Sequence, residues 1–381
     1  MSDAKPHRTE AHSLFVIDLF CQVIDNYGDI GVCWRLARQL TQQTRHCVRL
    51  WVDNLAAFQR LAPQVNNSGK QALSSQITLY HWSQANHVPS AGDIVIEAFG
   101  CQLPELFISK MVHKNSLWIN LEYLSAEDWV GDCHGLPSFQ PNGLRKYFFF
   151  PGFTPATGGL LREPDLFERR NKWLAEPALR WAQLSRLGVS AKLCNLLQTS
   201  GRQVFLFNYP SAPVNALIEA LETDPKPTVI LQPQGSGPNV SSPAPNIHHV
   251  QIPFVPQPEF DSLLWSSDLN LVRGEDSVVR AHWAGKPFIW HIYPQADHAH
   301  LTKLSAWLNK SPFDQSIKQL QMAWNQEDTA VCKTILTTLL SHPEKWQNWQ
   351  LSCQNWGLNL GQQPDLATNL LQFFTYHAGT R

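Results

Sequence analysis

The sequence lacks the features that mark several large classes of protein. Its eight cysteines are scattered and none forms a Cys-x-x-Cys pair, which argues against a zinc ribbon and a disulfide scaffold. No apolar run reaches the roughly 18 residues of a membrane span. Lys plus Arg (30) nearly cancel Asp plus Glu (31), so no broad field of one sign indicates a nucleic acid or an anionic membrane as partner. The polar residues 1–12 contain no apolar signal-peptide core, and we therefore expect a soluble, cytoplasmic protein.

Motifs for two common classes of nucleotide-binding enzyme are also missing. The chain contains no Gly-x-Gly-x-x-Gly and no Gly-x-x-x-x-Gly-Lys-Ser/Thr, so nicotinamide dehydrogenases and P-loop hydrolases are poorly supported. Histidines and an aspartate cluster in segment 291–300, but their spacing is not that of a zinc motif and no second cluster completes a site. We predict neither a metal nor another cofactor.

What the sequence does contain is an alternating α/β pattern. At 381 residues the chain exceeds what one hydrophobic core usually organises, so two domains are expected. Apolar runs of strand length alternate with helical stretches in both halves, and residues 161–199 between them carry a helical pattern without a strand. These observations predict two facing Rossmann-like domains with a cleft between them. The predicted domains are 1–190, joined by a C-terminal helix at about 362–381 that crosses back, and 191–361.

The predicted strands follow from these apolar runs. They are 14–19, 48–52, 77–80, 94–98, 117–121 and 147–150 in the first half, and 204–207, 229–231, 249–252, 269–272 and 288–291 in the second.

The first informative segment is a turn between a strand and a helix, with the sequence C-Q-V-I-D-N-Y-G-D-I-G from Cys21 to Gly31. An apolar strand run precedes this turn, and apolar residues at helical spacing follow it. In open α/β sheets such turns lie at the carboxyl ends of the strands, where ligands bind. The turn therefore directs Asp25 and Asp29 toward a crevice, as candidate catalytic acids. The alternative is that Asp29 only caps the helix while Asp25 is a solvated turn residue.

A second turn of the same kind follows the predicted strand 269–272 and reads R-G-E-D-S. Glu275, Asp276 and Ser277 fall at a helix N-terminus, where free N–H groups and the positive end of the helix dipole can bind phosphate oxygens. Arg273 adds a forked cationic donor, so this segment is a candidate diphosphate site. The alternative is that Asp276 and Ser277 are ordinary N-caps and that Arg273 pairs with Glu275.

Aromatic residues lie at or just beyond several strand ends of the second half, namely Phe207, Tyr209, Phe260 and Tyr293. Aromatic faces at these positions can sandwich a nucleobase, and Gln257 can hydrogen-bond the edge of that base. For each aromatic taken singly, packing in a core is the alternative.

Acidic residues follow two strands of the first half. Glu97 lies near the end of one apolar run, and Glu122, Glu127 and Asp128 follow the next. A cleft wall lined by these acids would suit a cationic acceptor, and the alternative is that they are solvated loop residues.

Five motifs taken together resemble one known family. They are C-Q-V-I-D-N-Y-G-D-I-G-V-C-W-R-L-A-R, N-L-E-Y-L-S-A-E-D-W, F-V-P-Q-P-E-F-D-x-L-L-W, R-G-E-D-S, and A-G-K-P-F-I-W-H-I-Y-P-Q with D-H-A-H-L after it. From about residue 20 to its last helix, the chain resembles the protein-arginine rhamnosyltransferases of bacterial elongation factor P. The resemblance implies a GT-B glycosyltransferase fold. It also implies transfer of L-rhamnose from dTDP-β-L-rhamnose to an arginine at a loop tip of elongation factor P, with inversion, in support of polyproline translation.

The same resemblance implies roles for individual residues. Asp29 would be the catalytic base, and Asp25 would support it or hold the acceptor. The implied substrate-binding residues are Arg273, Glu275, Asp276 and Ser277 around the diphosphate and ribose, Phe207, Tyr209 and Phe260 around thymine and the diphosphate, Gln257 on the base, and Tyr293. Two other functions stay open: a GT-B enzyme with another nucleotide sugar or a small-molecule acceptor, and a non-catalytic module that binds a translation factor.

Overall fold

The computed structural model describes residues 14–379 except 26, 43, 239 and 296. The leader at 1–12, on which the expected cytoplasmic location partly depends, lies outside the described residues, as does Asn26 of the first turn. Within the described part, the strands form two separate sheets.

The first sheet is built from β1 (Val16–Cys21), β2 (Cys47–Val52), β3 (Lys70–Ala72), β4 (Ile77–His81), β5 (Ile94–Ala98), β6 (Leu117–Leu121), β7 (Pro137–Phe139) and β8 (Arg145–Phe149). Its order is β3-β4-β2-β1-β5-β6-β8-β7, and all neighbours are parallel except β3 and β7, which pair antiparallel at the two edges. These two edge strands are absent from the sequence prediction. Each has only three residues and is largely exposed, so it leaves no apolar run to detect.

The second sheet contains β9 (Arg202–Leu206), β10 (Thr228–Pro233), β11 (Ile247–Ile252), β12 (Leu269–Arg273) and β13 (Phe288–His291). Its order is β11-β10-β9-β12-β13, and every pair is parallel. An all-parallel sheet is covered by helices on both faces, so its strands are continuously apolar. All five strands were predicted, with bounds that differ from the observed ones by at most two residues. Four of them are buried almost throughout, whereas β11 at the edge is only partly buried.

The α-helices of the described residues are α1 (Gly28–Gln42), α2 (Leu55–Leu61), α3 (Glu105–Lys114), α4 (Trp129–Cys133), α5 (Leu166–Ala175), α6 (Pro177–Arg186), α7 (Ala191–Thr199), α8 (Val214–Glu222), α9 (Gln257–Ser266), α10 (Gly274–Ala284), α11 (Ala299–Lys310), α12 (Gln315–Asn325), α13 (Thr329–Ser341), α14 (Pro343–Leu360) and α15 (Leu366–Gly379). A 3₁₀-helix spans Trp82–His87. The region between the sheets is helical, as predicted, since α5, α6 and α7 follow one another there without a strand.

The last helix returns to the first sheet. Leu370 and Phe374 of α15 are buried in the same apolar cluster as Ile17 and Leu19 of β1, and α15 also contacts α1. This is the predicted crossing of the C-terminal helix. The domain boundary after residue 190 stays a prediction, and it agrees with the topology because the first sheet ends at Phe149 and the second begins later.

The two sheets place their carboxyl edges toward each other. The turn from β1 to α1 and the turn from β12 to α10 meet there, and α1 packs directly on α10. Within the described residues, no helix is both long and apolar enough to cross a membrane, and all eight cysteines are free thiols. The fold thus brings together the two turns that the sequence marked as candidate sites.

Candidate active site

The first turn is held by Asp29 itself. Its Oδ2 accepts the backbone N–H groups of Ile24 and Asp25, each at 2.8 Å, although Asp29 lies in the first turn of α1. A helix N-cap would accept N–H groups from later residues, so the capping alternative is wrong. Asp29 instead closes the loop before the helix and keeps its carboxylate at the cleft, where it is 2% exposed.

The second turn requires glycine at its first helical residue. Gly274 has φ of +68°, and a Cβ added there would lie 3.0 Å from Oδ2 of Asp25 and 3.1 Å from the hydroxyl of Tyr209. The left-handed conformation and the close approach both disfavour a side chain. The R-G-E-D-S turn is therefore pressed against the D-N-Y-G-D turn.

Arg273 does not pair with Glu275, so the second alternative is also wrong. Its Nη1 donates to the backbone oxygen of Asn208 at 3.1 Å, and its guanidinium lies 4.5 Å from the ring centre of Phe207 and 4.9 Å from that of Tyr209. Glu275 points the other way and accepts the backbone N–H of Leu124 at 2.8 Å. The two aromatic rings hold the guanidinium of Arg273 in place without neutralising its charge.

The remaining polar residues of the R-G-E-D-S turn have other partners. The Ser277 hydroxyl donates to the backbone oxygen of Arg273, and Asp276 is bound by Arg35 of α1 at 2.8 Å. Neither side chain is an ordinary N-cap, because neither bonds the free N–H groups of α10.

Two hydrogen bonds cross the cleft from predicted site residues. The Tyr209 hydroxyl donates to Oδ2 of Asp25 at 2.7 Å, and Nε2 of Gln257 donates to the backbone oxygen of Gly31 at 2.8 Å. Tyr209 was assigned to thymine and the diphosphate, yet its hydroxyl contacts a candidate catalytic acid. Gln257 was assigned to the base edge, and its Oε1 is buried without a hydrogen-bond partner.

One cavity on the second-domain side, which we call the aromatic cavity, has a volume of about 50 Å³. One water molecule needs about 10–15 Å³ of such volume, so the cavity holds only a few waters, and a nucleotide does not fit unless the cleft opens or side chains swing aside. Phe254 of its wall packs 4.9 Å from Tyr27 and 6.3 Å from Phe207. The predicted site residues that line this cavity are Asp25, Phe207, Gln257, Phe260, Arg273, Asp276 and Ser277.

A second space, the acidic cavity, has a volume of about 140 Å³ and lies on the other side of Asp25. Asp25, Asp29 and Glu275 line it together with aromatic rings. Tyr293, also a predicted binding residue, lies here at 5.5 Å from Tyr209. Lys303 and His300 are also in the lining, so three carboxyl groups, aromatic faces and one lysine ammonium share this space. The carboxyl groups and aromatic faces can bind a planar cation.

Part of the acidic cavity is built on strained backbone. Phe99 has φ of +61°, a left-handed conformation that is rare for a bulky residue, and its ring stacks on Tyr123 at 4.5 Å and 16°. Such outliers persist only where the surroundings hold them, and they concentrate at functional sites. Tyr123 also hydrogen-bonds Asp29, so the pair forms a fixed aromatic face next to that carboxylate.

Burial raises the pKa of all three carboxyl groups of the acidic cavity. For Asp29 burial outweighs the hydrogen bonds from two backbone N–H groups and Tyr123, and for Asp25 it outweighs the bond from Tyr209. Burial raises the pKa of Glu275 to about 8, with the charges of Asp29 and Asp25 adding to the shift and Lys303 opposing it. These carboxylates are therefore stronger proton acceptors than carboxylates in water.

The pH dependence of stability tests the Glu275 environment. Native Glu275 keeps its proton up to about pH 8, whereas the unfolded carboxyl loses it near its ordinary pKa of 4.5. The native state thus binds more protons in this window, and the free energy of unfolding falls as the pH rises through it. In Glu275→Gln this contribution is absent. Between pH 6 and 7 we therefore expect the free energy of unfolding of the variant to fall by about 1 kcal/mol less than that of the wild type.

Urea unfolding at several pH values measures this difference. Glu344→Gln, at an exposed glutamate of α14, is the control and should keep the wild-type slope. Equal slopes for wild type and Glu275→Gln would contradict the assigned pKa.

Several residues that line the two cavities were not singled out from the sequence. Tyr27, Phe99, Tyr123 and Phe254 stand inside or beside motifs that had been noticed, and only their aromatic character marked them. Lys303 of α11 lies 5.4 Å from the ring centre of Tyr123, and no local pattern indicated it. Among the described residues, no group of His, Cys, Asp and Glu side chains suited to a metal ion is present.

Comparisons with known proteins agree with this architecture. Residues 17–375 match the family described as elongation factor P (EF-P) rhamnosyltransferase EarP. A protein-arginine rhamnosyltransferase of Pseudomonas putida is 43% identical over 380 residues, which cover 94% of this chain and 98% of that protein. One from Pseudomonas aeruginosa is 39% identical over 379 residues, with the same two coverages.

Similarity to solved structures identifies the fold of this chain. One described as the structural basis for EarP-mediated arginine glycosylation of translation elongation factor EF-P has a TM-score of 0.64 and 30% identity, and the match covers 95% of this chain and 99% of that one. The spinosyn forosaminyltransferase SpnP is similar in fold alone, with a TM-score of 0.52 and 10% identity over 96% of this chain and 100% of that one. The predicted GT-B fold is confirmed.

Proposed function

Because this chain belongs to the family of elongation factor P rhamnosyltransferases and is a glycosyltransferase, we propose that it rhamnosylates elongation factor P. The proposed donor is dTDP-β-L-rhamnose, the acceptor is an arginine side chain on a loop tip, and the anomeric centre is inverted. Since that acceptor is a translation factor, the proposed reaction takes place in the cytoplasm.

One observation carries this proposal: two cavities with different linings meet at Asp25. The acidic cavity holds three carboxyl groups, and the aromatic cavity holds Arg273 among aromatic rings. An arginine acceptor matches the first, and a base with a diphosphate matches the second. A sugar at their junction would have the attacking nitrogen on one face and the departing phosphate on the other, as an inverting displacement requires.

The acceptor side has to overcome the low reactivity of guanidinium. Its pKa is above about 12 and its lone pairs are delocalised, so electron density has to be localised on one guanidinium nitrogen before that nitrogen can attack. In the proposal Asp29 accepts a hydrogen bond from that nitrogen and then its proton, while Asp25 balances the cation. The raised pKa of Asp29 favours this proton transfer.

The donor side has to stabilise the charge that develops on dTDP. Arg273 and the helix-start residues Asp276 and Ser277 line the aromatic cavity. We place the diphosphate there, on the fork of Arg273 and on N–H groups at the start of α10. Phe207 and Phe260 flank the base, and Gln257 reads its edge after releasing Gly31. In this proposal Arg273 and the N–H groups neutralise the leaving group, so no metal cofactor is expected.

Glu275 takes a different place from the one that the resemblance implied. It was assigned to the diphosphate and ribose, but its carboxyl lines the acidic cavity with Asp25 and Asp29. There the Glu275 carboxyl, which keeps its proton up to about pH 8, can accept a hydrogen bond from the acceptor guanidinium through its carbonyl oxygen.

Intact-mass spectrometry tests the proposed function. Purified elongation factor P incubated with this protein and dTDP-β-L-rhamnose should gain the mass of one deoxyhexose, and fragmentation should place it on an arginine. The matched control is an acceptor whose loop-tip arginine is changed to lysine. No mass gain would contradict the proposal, and a gain with UDP-sugars but not with dTDP-rhamnose would favour another donor.

A smaller effect is expected for Tyr209→Phe. The ring that stacks on Arg273 is kept, but Asp25 loses the hydrogen bond from the Tyr209 hydroxyl. Because a bond to a charged group contributes about 1.5 kcal/mol or more, we expect kcat to fall about tenfold while dTDP affinity changes little. Steady-state kinetics and calorimetry measure the two quantities. Tyr80→Phe, at a tyrosine that stacks on Trp51 away from the cleft, is the control, and a dTDP affinity that falls as much as kcat would contradict the assigned contact.

A further inference from the structure

A buried group of charges lies at the contact between α1 and α10, and its role is not explained by the reaction described above. We call it the interface cluster, and its members are Arg35, Glu163, Asp261, Asp276 and Arg280. Arg35 comes from α1 on the first-domain side, whereas the acids come from the connection after β8 and from α9 and α10. The side chains of Arg35 and Arg280 are only 2% and 1% exposed.

The guanidinium of Arg35 contacts three acids, of which Asp261 and Asp276 come from the second domain and Glu163 from the connection after β8. Its Nε lies 2.8 and 3.1 Å from the two carboxylate oxygens of Asp276. Nη1 contacts Glu163 at 3.3 Å and Nη2 contacts Asp261 at 3.5 Å. A Cβ at Gly31 would lie 3.6 Å from Oδ2 of Asp276, so α1 and α10 approach closely at this point.

The second buried cation, Arg280, forms ion pairs with the other two acids, Asp261 and Glu163. Arg280 donates to both oxygens of Asp261, at 2.8 and 2.6 Å, and lies 2.8 Å from Glu163. In the part of the chain that the structure describes, Arg35 is the one cation that forms an ion pair with Asp276. The charge of Asp276 is therefore compensated from across the cleft.

This matters for ligand binding because Asp276 also lines the aromatic cavity, beside Arg273 and Ser277. An uncompensated carboxylate at that place would repel a diphosphate and would draw Arg273 away from it. We infer that Arg35 is a positioning residue of the donor site: it neutralises and orients Asp276 so that the R-G-E-D-S turn can bind a nucleoside diphosphate. The inference rests on the proposed function, because it takes the donor to be a dTDP-sugar.

Arg35 and Asp29 belong to the same helix, so the helix that carries the proposed base also balances the charge of the donor site.

Calorimetric titration with dTDP tests this inference. Arg35→Gln leaves Asp276 without its cation, and we expect the affinity to fall about tenfold or more. Adding Asp276→Asn to that variant removes the uncompensated charge and should restore the affinity to within about threefold of wild type. Arg38→Gln is the matched control, since Arg38 lies on the same helix near the cluster but pairs with none of its acids and places its guanidinium over Trp34 at 5.8 Å, whereas Arg35 pairs with Asp276.

Each result has a defined meaning. Wild-type affinity in Arg35→Gln, or a double variant as weak as the single one, would overturn the inference. Absence of dTDP binding by the wild type would instead reject the proposed donor. If Arg35→Gln does not fold, Arg35→Lys takes its place, because its ammonium keeps the charge but cannot bind both oxygens of Asp276 and also face the other acids. A loss of about threefold that Asp276→Asn removes is then expected, and an unchanged affinity would overturn the inference.

Discussion

Asp29→Asn is expected to lower the rate of rhamnosyl transfer by about 10³-fold or more while the protein still folds and binds dTDP. The asparagine Oδ1 can still accept the N–H groups of Ile24 and Asp25, so the turn keeps its shape. A neutral amide, however, cannot accept a proton from guanidinium or localise density on one nitrogen. The loss should therefore appear in kcat, measured by intact-mass analysis of elongation factor P over time.

The controls for Asp29→Asn separate chemistry from folding. Asp53→Asn changes another carboxylate that supports the same loop, where Oδ1 of Asp53 accepts the N–H of Val23 at 2.9 Å. It should keep most of the activity, and both variants should keep the wild-type melting temperature within a few degrees. A full-rate mass gain of one deoxyhexose with Asp29→Asn would remove Asp29 from the role of base.

Arg273→Ala is expected to weaken dTDP binding strongly and to lower kcat/KM by about 10² to 10³-fold. The variant removes the forked cation from the aromatic cavity and leaves Phe207 and Tyr209 without the group stacked on them. Because negative charge grows on the diphosphate as the sugar departs, the loss should be larger in the transition state than in the bound donor. Calorimetry with dTDP measures the loss of donor affinity, and steady-state kinetics measure the loss of transition-state stabilisation.

A second arginine that stacks on aromatic rings provides the control for Arg273→Ala. Arg162 lies 5.7 Å from Phe167 and 5.9 Å from Trp283, outside both cavities, so Arg162→Ala should not alter dTDP affinity. Arg273→Lys should give an intermediate result, since lysine restores the charge but not the planar fork. An unchanged affinity in Arg273→Ala would exclude Arg273 from the phosphate site.

The parts of the fold that could be predicted are those with a strong local pattern. Buried parallel strands such as Phe288–His291 are continuous apolar runs, so they were found with their observed bounds. The three-residue edge strands Lys70–Ala72 and Pro137–Phe139 were missed because their formation depends on the neighbouring strand rather than on their own residues.

The candidate site was predictable to a similar degree. Glycine-bearing turns after strands located Asp25, Asp29 and the R-G-E-D-S segment, because the carboxyl edge of a parallel sheet is where such turns meet ligands. The partners of each side chain were not predictable. Nothing in the sequence near Tyr209 indicates that its hydroxyl bonds Asp25, and nothing near Arg35 indicates that it crosses to Asp276.

The sequence by itself determined the α/β class, the positions of the two turns and the family, because these depend on local periodicity, turn chemistry and motif identity. Only the tertiary structure decided which groups each polar side chain contacts at the cleft. It placed Glu275 with Asp25 and Asp29 and made Arg35 the partner of Asp276. Contacts between residues far apart in the chain arise when two sheets bury their apolar faces and bring their edges together, and a linear pattern does not encode that geometry.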